Sequence, residues 1–270
     1  MSTQEPVLKS HRRAGVTTTI VAVGSVRIGD GSYPVIAGPS AVESESQIRA
    51  AAEAIASAGG SVLRARTFVA GTSPYGFRGL GPDALLLLEV AGREVDLPTA
   101  TEVLDTPTLA AVAEHVDLLE VGPDNMQNFT LLRAVGETGK PAMLHRGPSA
   151  TIDEWLMAAE YILDGGSEQV VLCERGSRGF DPRTSETVDI SAVPVVQQLT
   201  HLPVVVDPSP AVGGAAIIAP LALAARSVGA DGLIVPVHPD PEQSLAGNGN
   251  QLTLQAFELL MSQLGIPSLR

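Results

Sequence analysis

Residues 141–174 read PAMLHRGPSATIDEWLMAAEYILDGGSEQVVLCE, and their pattern gives the clearest indication of the fold. Its apolar runs at Pro141–Arg146 and Gln169–Glu174 are continuous rather than alternating, which is typical of parallel strands covered on their outer face. Between them, Thr151–Leu163 has apolar residues at helical spacing and opens with the Thr-x-x-Glu pattern of a capping box. A strand, a helix and a second strand in this order predict a βαβ unit.

The same alternation of strand and helix runs along the rest of the chain. Six further strand candidates share this pattern: Tyr33–Gly38, Ser61–Phe68, Asp96–Val103, Asp117–Val121, Pro203–Val206 and Gly232–Val237. Four further stretches have helical spacing: Ser46–Ala58, Asp105–Glu114, Ala216–Val228 and Gln251–Leu264. Strand–helix units that repeat roughly every 25–35 residues predict an α/β protein with the (β/α)8 TIM-barrel architecture. An open doubly wound sheet is the alternative, which we favour less because eight units use up the chain.

A Gly-rich stretch precedes the first barrel strand. Segments Thr17–Val26 and Arg27–Tyr33 resemble the arms of an N-terminal β-hairpin, which would close the bottom of the barrel where the strands begin. Residues 1–15 are predicted to be a disordered tail. Residues 16–270 then form a single barrel domain.

Composition narrows the classes of function. The chain has 270 residues, of which 44% are hydrophobic, and a formal net charge of −13 at pH 7. It can therefore bury a large core, but it lacks the clustered basic residues that a nucleic-acid partner requires. It has no run of about 18 consecutive apolar residues, so no membrane span is expected. The single cysteine, Cys173, excludes a disulfide framework and, with the absence of a secretory signal, favours a cytoplasmic location.

Charged side chains gather where the predicted strands end. In a TIM barrel these carboxyl-terminal ends form the face that carries the chemistry. The candidates there are Arg64, Arg66, Glu102, Glu120, Asp124, His145, Arg146, Glu174, Arg175 and Asp207. Converging arginines bind carboxylate or phosphate through paired hydrogen bonds. The alternative is a structural layer in which the arginines pair with the neighbouring acids, although such a layer is costly to bury without a ligand.

Several longer motifs resemble one enzyme family. The segments IAGPSAVES, TSPYGFRGLG, NMQNFTLL, CERG, THLPVVVDPS and VHPDPE occur in the order typical of short type I 3-deoxy-D-arabino-heptulosonate 7-phosphate (DAHP) synthases, close relatives of the 3-deoxy-octulosonate 8-phosphate synthases. The resemblance implies a (β/α)8 barrel, often a homotetramer, that condenses phosphoenolpyruvate with erythrose 4-phosphate and uses a divalent metal ion. The residues that match its substrate pocket are Arg64, Arg146, Glu174, Arg175 and Asp207.

Other positions depart from the family's motifs. The residues that match its four metal ligands are Ser40, Pro210, Pro236 and Asn248, and a proline side chain has no atom that can bind a metal ion. The segments that match the family's substrate-binding and phosphate-binding motifs are 69–72 and 122–124. His145 stands at the position of the family's catalytic lysine. Each charge-assisted contact that is lost costs about 1.5–3 kcal/mol of binding. We therefore predict that the protein binds no catalytic metal, needs no cofactor and does not make DAHP.

These departures predict a repurposed, metal-independent enzyme of a specialised biosynthetic pathway. Its substrate would be a small anionic carboxylate, either a keto acid or a shikimate-type cyclic acid, changed by aldol-like, elimination or isomerisation chemistry. The candidate catalytic residues are His145, as general acid or base, with Glu102, Glu120 and Asp207. The candidate substrate-binding residues are Arg64, Arg66, Arg146, Glu174, Arg175 and Asp124.

The alternative is a catalytically inactive relative that binds or regulates a partner such as chorismate mutase. His145 would then be a core histidine bonded to a neighbour. Cys173 is expected to be a buried packing thiol in either case. The resemblance and the aliphatic outer helices predict a homo-oligomer, either a dimer or a tetramer.

Overall fold

The computed structural model describes residues 8–12, 15, 18–70, 73, 75–184, 186–209, 214–247 and 249–268. Two antiparallel hairpins stand outside the barrel: β1 (Val21–Val23) with β2 (Val26–Ile28), and β9 (Ser177–Arg178) with β10 (Glu186–Thr187). The barrel strands are β3 (Val35–Gly38), β4 (Val62–Arg64), β5 (Thr99–Glu102), β6 (Leu118–Val121), β7 (Ala142–His145), β8 (Val170–Glu174), β11 (Val204–Val206) and β12 (Gly232–Pro236). The helices around it are α1 (Glu45–Ser57), α2 (Pro82–Glu94), α3 (Thr106–His115), α4 (Phe129–Glu137), α5 (Ile152–Gly165), α6 (Ala192–Leu199), α7 (Ile218–Ser227) and α8 (Leu254–Gln263).

The eight parallel strands close on themselves, because β12 pairs with β3. This confirms the predicted TIM barrel and excludes the open doubly wound sheet. The predicted capping box is also present, since the Thr151 side chain accepts from the backbone N–H of Glu154 while the Glu154 carboxylate accepts from that of Thr151. None of the described helices is long and apolar enough to cross a membrane.

The N-terminal hairpin closes the bottom of the barrel, as predicted. Side chains that point into the barrel form one apolar cluster: Ile36, Val62, Ala100, Leu118, Met143, Val171, Cys173, Val205 and Ile234. The hairpin residues Val21, Val23 and Ile28 belong to this cluster and are fully buried. Apolar burial on this scale stabilises the fold and confines an open cavity to the opposite end of the barrel.

Several boundaries differ from the prediction by a few residues; strand β4, for example, is Val62–Arg64 rather than Ser61–Phe68. Strand β5 begins at Thr99 rather than at Asp96, because Asp96 has a left-handed φ of 56° as the chain leaves α2. The part of the predicted tail that the structure describes, residues 8–12, packs against the barrel. The backbone of Ser10 donates to Glu160, and Arg12 donates to the carbonyl of Leu199. The prediction of disorder is therefore wrong for residues 8–12, whereas residues 1–7, 13 and 14 lie outside the described part of the chain.

Candidate active site

The carboxyl-terminal ends of the barrel strands surround a cavity of about 420 Å³. Eight of the charged residues predicted for this face line it: Arg64, Arg66, Glu102, Glu120, Asp124, His145, Arg175 and Asp207. The geometry therefore gathers most of the candidate residues into one concave site at the position where TIM barrels carry their chemistry.

Arg146 and Glu174 do not line this cavity, which corrects two predicted substrate contacts. Arg146 donates from Nη1 to Glu174 at 2.9 Å and from Nε to the carbonyl of Ala150, and its guanidinium lies 6.0 Å from the ring centre of Trp155. Both side chains are buried between the sheet and the helices. Successive residues of a strand face opposite sides, so Arg146 points away from the mouth because its neighbour His145 points into it.

Glu120 and Arg64 form a buried ion pair across the mouth. Arg64 Nε lies 3.0 and 3.1 Å from the two carboxylate oxygens of Glu120, and its Nη2 lies 3.0 Å from Oε2. Burial alone would raise the pKa of Glu120, but the charge of Arg64, the adjacent His145 and the hydrogen bonds from Arg64 together outweigh burial and hold this pKa at about 2. Glu120 is therefore favoured as an anion, and its negative charge compensates the positive charge of Arg64.

Glu102 lies beside Glu120 in the parallel register of β5 and β6, but its pKa is shifted in the opposite direction. Burial raises the pKa of Glu102 above its usual value of 4.5, although the charges of Arg66, Arg64 and His145 oppose this shift. Its carboxylate packs against Gly122, where a Cβ atom would come within 2.0 Å of Oε1. Two adjacent carboxyl groups with pKa values moved apart are the arrangement from which acid and base roles arise.

His145 is buried at the end of β7 with 3% of its surface exposed. Its Nε2 lies 3.5 Å from Glu120 Oε2, but neither ring nitrogen has a hydrogen-bond partner among the described residues. An unpaired buried nitrogen costs free energy, so a substrate group that bonds to this ring would recover it.

Arg66 lies two residues after the end of β4 and extends toward the residues that follow β3. Its Nε donates to the carbonyl oxygen of Ser40 at 2.7 Å. Burial, followed by the like charges of Arg64 and Arg175, lowers the pKa of Arg66, while Glu102 and Glu120 oppose this shift. The positive charge of Arg66 is therefore only partly compensated by the surrounding carboxylates.

The sequence interpretation missed two charged residues of the site, Arg178 and Glu186. They face each other in the register of β9 and β10, a hairpin inserted after β8, and both line the cavity. Arg175 Nη2 lies 3.9 Å from Glu186 Oε2. Strands of two residues carry no readable periodicity, and the only available signal was the position of Arg178 three residues after Arg175.

The remaining candidates have distinct surroundings. Asp207 is 6% exposed and accepts hydrogen bonds from the backbone and hydroxyl of Ser209. Asp124 lies on the exposed rim of the cavity. Cys173 is fully buried in the barrel interior, and burial, followed by the charges of Asp207 and Glu120, raises the pKa of its thiol. A packing role for Cys173 is therefore consistent with the structure.

Replacing Glu102 with glutamine is expected to stabilise the fold at neutral pH by an amount on the order of 1 kcal/mol. The folded-state pKa of Glu102 is raised, so its contribution is most favourable below the unfolded pKa and is lost as the pH rises through the folded value. Urea unfolding at pH 4 and pH 7.5 measures this, and the advantage of E102Q over the natural protein should grow with pH. An equal difference at both pH values would contradict this account of Glu102.

The residues present do not fit the divalent metal ion that the resemblance implies. Ser40 offers a hydroxyl in place of a thiolate, and Pro236 has no side-chain donor. The described residues contain no group of three or more His, Cys, Asp or Glu side chains that could hold a metal ion. The other two positions, Pro210 and Asn248, lie outside the described residues.

Comparison with known proteins decides the family. The model of the DAHP synthetase I family matches residues 10–266. The chain belongs to the DAHP synthetase I family. Relatives include the phospho-2-dehydro-3-deoxyheptonate aldolase of Thermotoga maritima, 41% identical over 91% of this chain and 73% of the relative. The 2-dehydro-3-deoxyphosphooctonate aldolase of Magnetococcus marinus is 31% identical over 92% of each chain.

Solved structures of DAHP synthase from Thermotoga maritima have the same fold as this family member. One crystal structure has a TM-score of 0.93 at 38% sequence identity. The match covers 97% of this chain and 77% of the Thermotoga chain. A truncated form of the Thermotoga enzyme has a TM-score of 0.88 at 37% identity, with 95% and 94% of the two chains covered.

Family membership overturns the predicted function. We predicted an enzyme that does not make DAHP, with an inactive partner-binding relative as the alternative. The 41% identity to a DAHP synthase over 91% of the chain, together with the structural match, supports a DAHP synthase function instead. The prediction is wrong because it treated each lost family contact as an independent loss of binding, whereas the arginines that line the mouth can still bind anionic groups. The expectation of a biosynthetic enzyme is confirmed at the level of the family.

Proposed function

We propose that this protein catalyses the condensation of phosphoenolpyruvate with erythrose 4-phosphate to give DAHP, at the cavity where the barrel strands end. The observation that carries the proposal is the likeness to the Thermotoga maritima DAHP synthase, with a TM-score of 0.93 at 38% identity. The cavity supports it chemically, because Arg66, Arg175 and Arg178 all line it and guanidinium groups suit carboxylate and phosphate.

The reaction requires two proton transfers that a side chain can serve. A bond forms between C3 of phosphoenolpyruvate and the aldehyde carbon, and the aldehyde oxygen takes up one proton. Water loses one proton as it adds to C2, which leaves a hydroxyl and the phosphate group on that carbon. When the C2–O bond to phosphate breaks, the hydroxyl proton passes to the departing phosphate, and a keto group and inorganic phosphate remain. One side chain that first donates a proton to the aldehyde oxygen and then accepts one from water can serve both of these transfers.

His145 is the residue of this site that is suited to both transfers. As imidazolium it donates a proton to the aldehyde oxygen, and as imidazole it accepts a proton from the attacking water. Its two ring nitrogens have no hydrogen-bond partner among the described residues, and His145 is one of the residues that line the cavity. Glu120 acts as a positioning residue, since Arg64 holds its carboxylate 3.5 Å from His145 Nε2.

An assay of product formation tests the proposal. Purified protein is incubated with phosphoenolpyruvate and erythrose 4-phosphate, once with EDTA and once with Mn²⁺, and DAHP and released phosphate are measured by mass spectrometry and phosphate assay. We expect stoichiometric formation of both products. A five-carbon aldose phosphate is run in parallel, because the eight-carbon product of the 31% identical relatives would need it. Folded protein that forms no DAHP under either condition would contradict the proposal.

A further inference from the structure

We infer that the guanidinium of Arg66 is the fixed cation of this active site, standing where the family is expected to hold a divalent metal ion, and that it binds a negatively charged oxygen of the substrate. The inference rests on the proposed function, because it names the group that supplies positive charge at that same site. It also accounts for the poor fit between the residues present and a metal ion.

The first argument is the position of the Arg66 side chain. Its Nε is bonded to the carbonyl of Ser40 at 2.7 Å, and its backbone forms a parallel bridge with Ala41. Ser40 is the residue that matches the first metal-binding position of the family. One hydrogen bond therefore anchors the guanidinium beside that position, and no described residue is bonded to its two terminal nitrogens, which leaves four of the five N–H groups of an arginine for a ligand.

The second argument is the packing around Ser40. The backbone N–H of Ser40 donates to Gln251 Oε1 at 2.7 Å. Gly247 lies against the same residue with a left-handed φ of 100°, and a Cβ atom there would come within 2.4 Å of Ser40 Oγ and 2.8 Å of Gln251 Nε2. No side chain fits at Gly247, so this loop brings no carboxylate to Ser40. Pro236 lines the cavity without offering a donor.

The third argument is the balance of charge. Arg64 forms an ion pair with Glu120, and Arg146 forms one with Glu174 outside the cavity. Arg66 forms no ion pair within 4.0 Å among the described residues. The acids that share the cavity with it are Glu102, Glu120, Asp124, Glu186 and Asp207. The guanidinium of Arg66 therefore has no carboxylate partner among the described residues, and a negatively charged substrate oxygen can take that place.

A guanidinium in this position can perform the electrostatic part of the reaction. It remains protonated at every working pH, and its planar set of donors can bind two oxygens at once. Pre-positioned positive charge stabilises oxygen atoms that gain negative charge during a reaction, and it does so without reorganisation. The site then needs neither a bound metal ion nor a thiolate to hold one.

Ligand binding and metal content test the inference directly. The natural protein, R66Q and R66K are treated with EDTA, and their affinity for phosphoenolpyruvate is measured by calorimetry. Metal uptake after dialysis against Mn²⁺ is measured by mass spectrometry. R93Q is the control, because Arg93 is an exposed arginine of α2 with 70% of its side chain accessible. We expect metal-free natural protein to bind phosphoenolpyruvate, and R66Q to bind it at least about tenfold more weakly. R66K should be intermediate, R93Q unchanged, and Mn²⁺ uptake below one ion per chain.

Three results would overturn the inference. The first is equal affinity of R66Q and the natural protein for phosphoenolpyruvate, and the second is no binding of phosphoenolpyruvate in the absence of metal. The third is uptake of one Mn²⁺ per chain, with this ion required for phosphoenolpyruvate to bind. Circular dichroism confirms that each variant is folded, and R66K retains the charge if R66Q does not fold. The outcome is separable from that of the proposed function. Binding through Arg66 without DAHP formation refutes only the proposed function, whereas DAHP formation that needs stoichiometric Mn²⁺ refutes only the role of Arg66.

Discussion

Replacing Glu120 with glutamine is expected to lower the free energy of unfolding by about 3 kcal/mol at pH 7, because it leaves the buried charge of Arg64 without its partner. The folded-state pKa of Glu120 is about 2, below its usual value of 4.5. Its carboxylate therefore stabilises the fold fully above pH 4.5, and this contribution is lost as the pH falls through 2. Urea unfolding at pH 7 and pH 3.5 should show a smaller difference between E120Q and the natural protein at the lower pH.

Two comparisons make this result specific. E102Q carries the same chemical change on the adjacent strand, and its effect at pH 7 should have the opposite sign. The double variant R64M/E120Q removes both charges and should recover part of the loss, as replacements of whole buried ion pairs by apolar side chains do. A loss below about 1 kcal/mol in E120Q would mean that Arg64 is satisfied by other groups.

Replacing His145 with glutamine is expected to lower kcat for DAHP formation by about 10²–10⁴-fold, the usual contribution of a general acid or base. The affinity for phosphoenolpyruvate should change little, because the arginines rather than His145 are proposed to hold its anionic groups. The measurement is steady-state kinetics across pH 5–9 with calorimetry in parallel. The pH dependence of kcat that arises from the imidazole should disappear in H145Q.

His115 offers a matched control for this variant. It is a histidine of α3 that pairs with Glu89 on the outside of the barrel, so H115Q should retain both kcat and its pH profile. A natural kcat in H145Q would exclude His145 as the proton-transfer group. A large rise in KM at unchanged kcat would instead assign it a role in binding substrate.

The barrel could be predicted from the sequence because its signals are local and repeated. The stretch 141–174 contains two buried strands and a capped helix, and each of these appears in the structure at nearly the predicted place. The strand starts were less accurate, since Asp96 adopts a left-handed conformation that its neighbours alone do not reveal. Residues 8–12 carry no periodicity of their own, and their order comes from hydrogen bonds to Glu160 and Leu199, which are distant in sequence.

The site was predicted well where strand alternation was applied and poorly where it was not. His145 faces the mouth and its neighbour Arg146 faces the helices, while Glu174 lies between the inward-facing Cys173 and Arg175. The pairing of Arg64 with Glu120, rather than with Glu102, depends on side-chain geometry across three strands and could not be read from sequence. The predicted metal independence, homo-oligomer and cytoplasmic location all stay predictions.

The hairpin that seals the base of the barrel has a kinetic consequence. Val21, Val23 and Ile28 fill that end with apolar side chains. In the described part of the chain the barrel is therefore open at its carboxyl-terminal end, and the proposed substrates and products would exchange with solvent there. Departing product and arriving substrate must then use the same route in turn. We expect DAHP to inhibit competitively against at least one substrate. We also expect the rate of product release through this opening to limit turnover at high substrate concentration.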